Sequence, residues 1–193
     1  NSSGGYDGFG AYEFDGVDDY IYLDDDSDSS NVFDVVFSER TVGMWIYPNN
    51  VSKEEYQMLY EEGGTTNGMN FYIFNNSLYG GAWSESDSWN GNWSIVNITS
   101  NEWHYVALIF DGTNSLVSVY LDGTLTSVNG YTKVSGHGGD DALGRTEDNT
   151  VAYPNSGSDL GSTGNYFNGT IDEFMVFDLA LSESQLDFFY FEL

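Results

Sequence analysis

Trp103-His104-Tyr105-Val106-Ala107-Leu108-Ile109-Phe110-Asp111-Gly112, followed three residues later by Leu116-Val117-Ser118-Val119-Tyr120-Leu121-Asp122-Gly123, is the stretch that decides the fold. Both runs are rich in β-branched and aromatic residues, and both close on Asp-Gly, a pair that tolerates positive φ. Trp103 to Leu125 therefore predicts two consecutive antiparallel strands, the second leading into a tight turn. Alternation through Val117-Ser118-Val119-Tyr120-Leu121 predicts one buried and one solvent-facing side.

The same signature recurs outward in both directions, over Ala11 to Phe14, Tyr20 to Leu23, Thr41 to Tyr47, Gln57 to Tyr60, Asn70 to Phe74, Leu78 to Trp83 and Thr170 to Phe177. Helix signals are few. Ser182-Glu183-Ser184-Gln185 can form a capping box that introduces a short C-terminal helical turn, and Ser52 to Glu55 is a second candidate turn. Asp24 to Glu39, Ser84 to Ser94 and Ser135 to Asn165 break the rhythm and read as long loops, where function concentrates. So many strands fold back into two packed layers to limit their edges, and 193 residues suit one such domain over 1–193. The expected class is all-β, a two-sheet antiparallel sandwich.

Composition narrows the partners. Asp and Glu number 31 against 4 Lys and Arg, a net charge of -27 that repels phosphate backbones and anionic lipid, so nucleic acid and membrane insertion are excluded as expectations. Concentrated salt or divalent cations would make this charge tolerable; a plain acidic secreted protein kept soluble by charge is the alternative. A hydrophobic fraction of 40% supplies a core, and the lack of Cys rules out disulfides and thiolate metal sites. No apolar run approaches the ~20 residues of a membrane helix, and the chain, opening at Asn1, reads as a mature or excised segment. Asn1, Asn50, Asn75, Asn92, Asn97 and Asn168 each begin an Asn-x-Ser/Thr triplet, which points to an extracellular or cell-surface glycoprotein; some sit beside Trp or within strands, so not all can be used.

Four stretches together resemble the laminin-G-like jelly-roll family, the concanavalin A-like lectin/glucanase domains. They are Ala11 to Ile21, Thr41 to Pro48, Glu102 to Leu108 continuing into Val119 to Gly123, and Tyr166 to Phe174 followed by Ala180-Leu181-Ser182. The resemblance implies two curved antiparallel sheets with the first and last strands adjacent and loops at the rim. It also implies a structural calcium near the terminal strands, for which the matching carboxylates are Asp15, Asp18, Asp19 and Asp172. The plainer account is that Asp15 and Asp18 shape a hairpin turn and Asp172 caps a strand end. Asp24-Asp25-Asp26-Ser27-Asp28 lacks the Gly and Glu of an EF-hand loop and reads as a solvated acidic loop.

Trp83, Trp89 and Trp93, with Asp87, Asn90 and Asn92, form the candidate ligand segment, and Tyr79 and Tyr153 can join it from nearby. Sugar C–H faces stack on aromatics while amides and carboxylates bind hydroxyls. The alternative is that the tryptophans cover a sheet edge or plug the sandwich end, with at least one in the core. Glu85-Ser86-Asp87-Ser88-Trp89-Asn90 partly resembles the Glu-x-Asp-x-x-Glu strand of related glucanases, but Asn90 stands where the second Glu belongs, and an amide cannot donate and retrieve a proton. No catalytic residues are expected. His104 reads as structural, and His137, near Asp140 and Asp141, as a loop residue or a metal ligand. The expected function is a non-catalytic recognition or adhesion module for glycans or a surface protein, with calcium support. The alternatives are a structural subunit of a filament, surface layer or virion, self-assembling through Phe188-Phe189-Tyr190-Phe191, and third a hydrolase.

Overall fold

A computed structural model of the chain describes residues 4–24, 32–139, 141–147, 149–153 and 155–192. One six-stranded antiparallel sheet, A, runs in the order β1 (Tyr12–Asp15), β16 (Asn168–Phe177), β3 (Glu39–Pro48), β8 (His104–Asp111), β9 (Leu116–Leu121) and β10 (Thr124–Asn129). The second, B, runs β2 (Ile21–Asp24), β11 (Asp141–Leu143), β4 (Gln57–Gly63), β5 (Asn67–Phe74), β6 (Ser77–Ser84) and β7 (Trp89–Asn97). Two short ribbons pair β12 (Thr146–Glu147) with β15 (Thr163–Gly164) and β13 (Val151–Ala152) with β14 (Asn155–Asp159). The all-β sandwich expected from the sequence is what forms, and the first and last strands are adjacent.

Alternation builds the core between the sheets: Val42, Met44 and Ile46 of β3, Val106, Leu108 and Phe110 of β8 and Val117 and Val119 of β9 meet Met69, Phe71 and Ile73 of β5. The opposite faces are covered too. Trp45, Tyr105, Ala107 and Tyr120 on the outside of sheet A lie under Leu181 and helix α1 (Glu183–Glu192), which contributes Leu186, and Met58, Tyr72, Trp83 and Trp93 on the outside of sheet B lie under Val151 and Ala152. The solvent-facing side expected for Val117 to Leu121 is therefore corrected. Tyr120 packs under the helix and Ser118 hydrogen-bonds Ser127 across the strand pair at 2.8 Å.

Four further expectations change. Ser84 to Ser94 is a strand pair around a short 3₁₀ turn, Glu85–Asp87, and Ser135 to Asn165 carries β11 to β15. The C-terminal turn is a ten-residue helix, whereas Ser52 to Glu55 forms none. Gln185 reaches back to the Ser182 amide at 2.9 Å as a capping box requires, but the Ser182 hydroxyl bonds Gln185 itself and not a first-turn amide.

His104 is structural, as its strand context indicates. Its Nδ1 lies 2.6 Å from Asp122 Oδ2 and its Nε2 faces Thr99. Burial pulls the imidazole pKa down, but the Asp122 carboxylate outweighs it, and the group titrates above its ordinary value. A raised folded pKa means that the contribution is complete below the unfolded value of about 6.5 and fades as pH rises through the folded one. His104→Gln is thus expected to cost about 1–2 kcal/mol at pH 5.5 and less at pH 8.5 in urea titrations. An equal cost at both values would show that the proton is not linked to folding.

Candidate functional site

The register separates two ends of the sandwich. Asp15 pairs with Asn168, and Gly169 with Pro48, at one end; Glu39 pairs with Asp111, and Gly63 with Gly68, at the other. At the second end the turn after β4, Gly64 to Thr66, faces the segment Gly136 to Gly138, and Asn149 closes a third side. These walls bound a cleft of about 270 Å³ with a polar lining of Gly64, Thr65, Thr66, Asn67, His137, Gly138 and Asn149.

Buried groups hold the walls. Asn67 Nδ2 donates to Ser86 Oγ at 3.0 Å and to the Gly136 carbonyl at 3.2 Å, tying the cleft to both neighbouring loops. From below, Trp83 Nε1 donates to the Gly64 carbonyl at 2.9 Å. Beside the cleft, Asp87 accepts from Ser135 Oγ and Ser84 Oγ, each at 2.7 Å, and pairs with Lys133 at 3.0 Å. The Ser135 hydroxyl first, then Ser84 and Lys133, holds the Asp87 carboxyl down at about 2. Asp87 is a brace for two loops.

The three tryptophans do not share a face. Trp83 and Trp93 are 1% and 5% exposed, stacked with centroids 6.0 Å apart on the covered outside of sheet B. Trp93 lies over Gly81, where a Cβ would come within 2.1 Å of the indole, and its Nε1 donates to Asn70 Oδ1 at 2.9 Å. As exposed stacking surfaces these two are corrected: packing uses both rings. Trp89 points the other way, stacked on Tyr131 at 5.7 Å and tilted against Phe110, half-buried at the mouth of the sandwich. Asn90 is exposed on the same rim. Tyr153, 44% exposed, sits against Tyr79 and Trp93 on the outer face of sheet B.

At the opposite end, Asp15, Asp18 and Asp19 present carboxylate oxygens within 4.8 Å of one another, all exposed. Asp15 Oδ1 accepts from the Val17 and Asp18 amides, and Asp19 Oδ2 from the Asp15 amide, so the turn itself gathers the charges. Three hard oxygen donors at such a turn fit calcium chemically. Asp172 does not join them. Tyr12 pairs with Ile171 and Asp15 with Asn168, which leaves Asp172 four residues along β16, roughly 13 Å away at strand spacing. It is buried and bonded instead to the Tyr6 and Glu173 amides, at 2.9 and 3.0 Å. The four-carboxylate set implied by resemblance is therefore three.

Residues 15–187 match the family described as the concanavalin A-like lectin/glucanases superfamily. The chain belongs to that superfamily. No curated protein matches it. Among solved structures, this concanavalin A-like chain is similar to a native heptameric SAP-like pentraxin from Limulus polyphemus, at 15% identity and TM-score 0.62, covering 92% of this chain and 80% of that one. It is similar to the botulinum neurotoxin serotype D binding domain, at 13% identity and TM-score 0.68, covering 94% and 42%, so it spans less than half of that structure. It is also similar to domain 4 of AbnA, a GH43 extracellular arabinanase from Geobacillus stearothermophilus, in complex with arabinotriose, at 20% identity and TM-score 0.59, covering 91% and 74%.

Of the sequons in this concanavalin A-like chain, Asn50, Asn75, Asn92 and Asn97 are exposed, while Asn92 and Asn168 use their Nδ2 on the Asn129 and Asp15 carbonyls at 2.8 and 2.6 Å; Asn1 lies outside the described residues. Residues 25–28 of the acidic run and Asp140 also lie outside them. His137 faces the cleft, its Nδ1 3.9 Å from Asp34 Oδ1. Thr65, Thr66 and Asn149 were missed by sequence reasoning. Gly63-Gly64-Thr65-Thr66-Asn67-Gly68 was a legible turn signal, but nothing local tells which distant loop faces it.

Proposed function

We propose that the chain is a non-catalytic recognition module, at the cell surface or outside the cell, that takes a neutral sugar into the rim cleft. The lining of the cleft carries the reading: hydroxyls and amides of Thr65, Thr66 and Asn149 bound a space of about 270 Å³ with no Lys or Arg among them. Sugar hydroxyls pair with such groups, and the Trp89–Tyr131 pair farther along the rim offers an aromatic edge. Asp34, Asp87 and the net charge of -27 disfavour sialic and uronic acids. Arabinotriose in the similar arabinanase domain supports a neutral oligosaccharide. Asp87, held near 2, has no proton to give at neutral pH, and Asn90 cannot exchange one, which supports a non-catalytic role.

Calcium in this reading is structural, held by Asp15, Asp18 and Asp19 at the end away from the cleft. A second reading, a self-assembling surface subunit or a module for a surface protein, draws on Phe188 and Phe191, which α1 leaves exposed while Phe189 and Tyr190 pack inward. Arrays of neutral and sialylated glycans, followed by calorimetry on the best binder, test the first. Thr66→Ala and Asn149→Gly, the latter keeping the left-handed φ of 65°, are each expected to weaken binding about tenfold with melting unchanged. EDTA is expected to lower the melting temperature and leave affinity within about twofold. Binding only to anionic glycans, or binding indifferent to both substitutions, would overturn the reading.

A further inference from the structure

Five of the six Asn-x-Ser/Thr triplets lie among the described residues, and the fold treats them differently. A side-chain amide carries a sugar on its Nδ2, so that nitrogen must be reachable and not already bonded. Asn92 and Asn168 fail on this ground, since both spend Nδ2 on backbone carbonyls, at 2.8 and 2.6 Å. Ser94, which completes the Asn92 triplet, is buried and donates to the Thr126 carbonyl at 2.7 Å.

The hydroxyl that ends each triplet matters because an amide nitrogen shares its lone pair with the carbonyl and is a poor nucleophile. Donors placed on Oδ1 stabilise the imidate-like charge that grows there as Nδ2 gives up a proton. Asn97 lacks its own hydroxyl for this: Thr99 Oγ1 is bonded to Glu102 and lies 3.1 Å from His104 Nε2, and Ser77 Oγ reaches Asn97 Oδ1 only at 3.5 Å. With Ser77 turned across the strand pair, Asn75 is left with Asn76 Nδ2 at 3.3 Å, and both residues are held at left-handed φ of 46° and 64°.

Asn50 meets both conditions. Its Oδ1 accepts from the Ser52 amide at 3.0 Å and from the Ser52 hydroxyl at 2.9 Å, an Asx turn in which the triplet's own hydroxyl bonds the amide to be modified. The side chain is exposed, and among the described residues its Nδ2 makes no hydrogen bond. The turn is fixed on both sides: Gln57 Nε2 donates to the Asn50 carbonyl at 2.8 Å, and the Val51 amide donates to Ser100 Oγ at 2.9 Å.

From this geometry we infer that Asn50 is the glycosylation site that the folded domain offers, taking an oligosaccharide from a polyprenyl-linked phosphate donor. Nδ2 forms a bond to the anomeric carbon, and the bond from that carbon to the donor phosphate oxygen breaks. The lipid phosphate leaves with the electron pair, and the Nδ2 proton passes to a base of the transferase. Asn50 lies just beyond Pro48, at the end where Pro48 pairs with Gly169 and away from the cleft between Gly64 and Asn149. A bulky glycan there shields one end of the sandwich and leaves the other open.

The test uses the full chain with Asn1→Gln, made in a host without N-glycosylation, folded, and incubated with a single-subunit oligosaccharyltransferase and its lipid-linked oligosaccharide. An Asn-Val-Thr peptide in the same reaction reports that the transferase is active. Enzymatic deglycosylation in heavy-oxygen water then marks each modified Asn for peptide mass spectrometry. Occupancy of Asn50 is expected to exceed that of Asn75, Asn92, Asn97 and Asn168 at least tenfold. Asn50→Gln is expected to remove the main product with melting unchanged, and Ser52→Thr, which keeps the hydroxyl, to retain it. Comparable occupancy of any of the other four, or an unmodified chain beside a modified peptide, would overturn the inference. Neither outcome depends on whether the rim cleft binds sugar.

Discussion

Arg40→Met is expected to destabilise the chain by about 3–5 kcal/mol in urea unfolding, among the largest losses any single substitution here should produce. Arg40 and Glu62 face each other across the gap between the sheets, both side chains fully buried and ion-paired. The second guanidinium nitrogen donates to the Val32 carbonyl at 2.6 Å, and the cation sits 4.0 Å over the Phe37 ring. Tyr60 donates to the same Glu62 oxygen at 2.7 Å; burial, and then that carboxylate, push the Tyr60 phenol far above its ordinary range. Removing only the cation leaves the Glu62 carboxylate in apolar surroundings with its charge uncompensated. The loss belongs to the uncompensated charge and does not measure a net gain from the pair, so Arg40→Met, Tyr60→Phe and Glu62→Leu together are expected to recover most of it. A single-variant loss under about 1 kcal/mol would mean that water reaches Glu62 and that the buried pair is not as described.

That network marks the limit of what the sequence shows. Strands were legible because alternation is local: Val42, Met44 and Ile46 announce an inner face without knowledge of the partner sheet. Ser182 and Gln185 announced a helix start for the same reason. Arg40 announced nothing, since Glu39-Arg40 resembles any charged approach to a strand, and its partner lies 22 residues away on the other sheet. The tryptophans show a subtler limit. β6 and β7 shift register between Ala82 and Ser84, and this irregularity puts Trp83 and Trp93 on one face and Trp89 on the other. No count of residues along the chain anticipates a bulge. Asp15, Asp18 and Asp19 came together because they are neighbours in one turn, whereas the place of Asp172 depended on a strand register that resemblance could not specify.

Raising KCl from 20 mM to 2 M is expected to raise the melting temperature by on the order of 10 °C. The chain carries -27 charges, and it gathers some of them: three carboxylates share one turn at β1–β2, with Glu13 exposed nearby. In dilute buffer the Debye length is tens of ångströms, so most of these charges repel one another across the folded surface and less so in the expanded chain; near 1 M it is about 3 Å and the repulsion is confined to immediate neighbours. Recovery of roughly 3–5 kcal/mol corresponds to this shift at about 2–4 °C per kcal/mol for a chain of this size. Two controls separate screening from general effects of concentrated solutes. Sucrose should not reproduce the difference between low-charge and wild-type proteins. Changing the exposed Glu54, Glu55 and Glu192 to Lys moves the net charge by +6, from -27 to -21, and should raise melting in 20 mM KCl while flattening the salt response. Were the triple variant to keep the full salt dependence, the ions would be acting through water or through specific sites, and repulsion among surface carboxylates would not be what limits this fold in dilute solution.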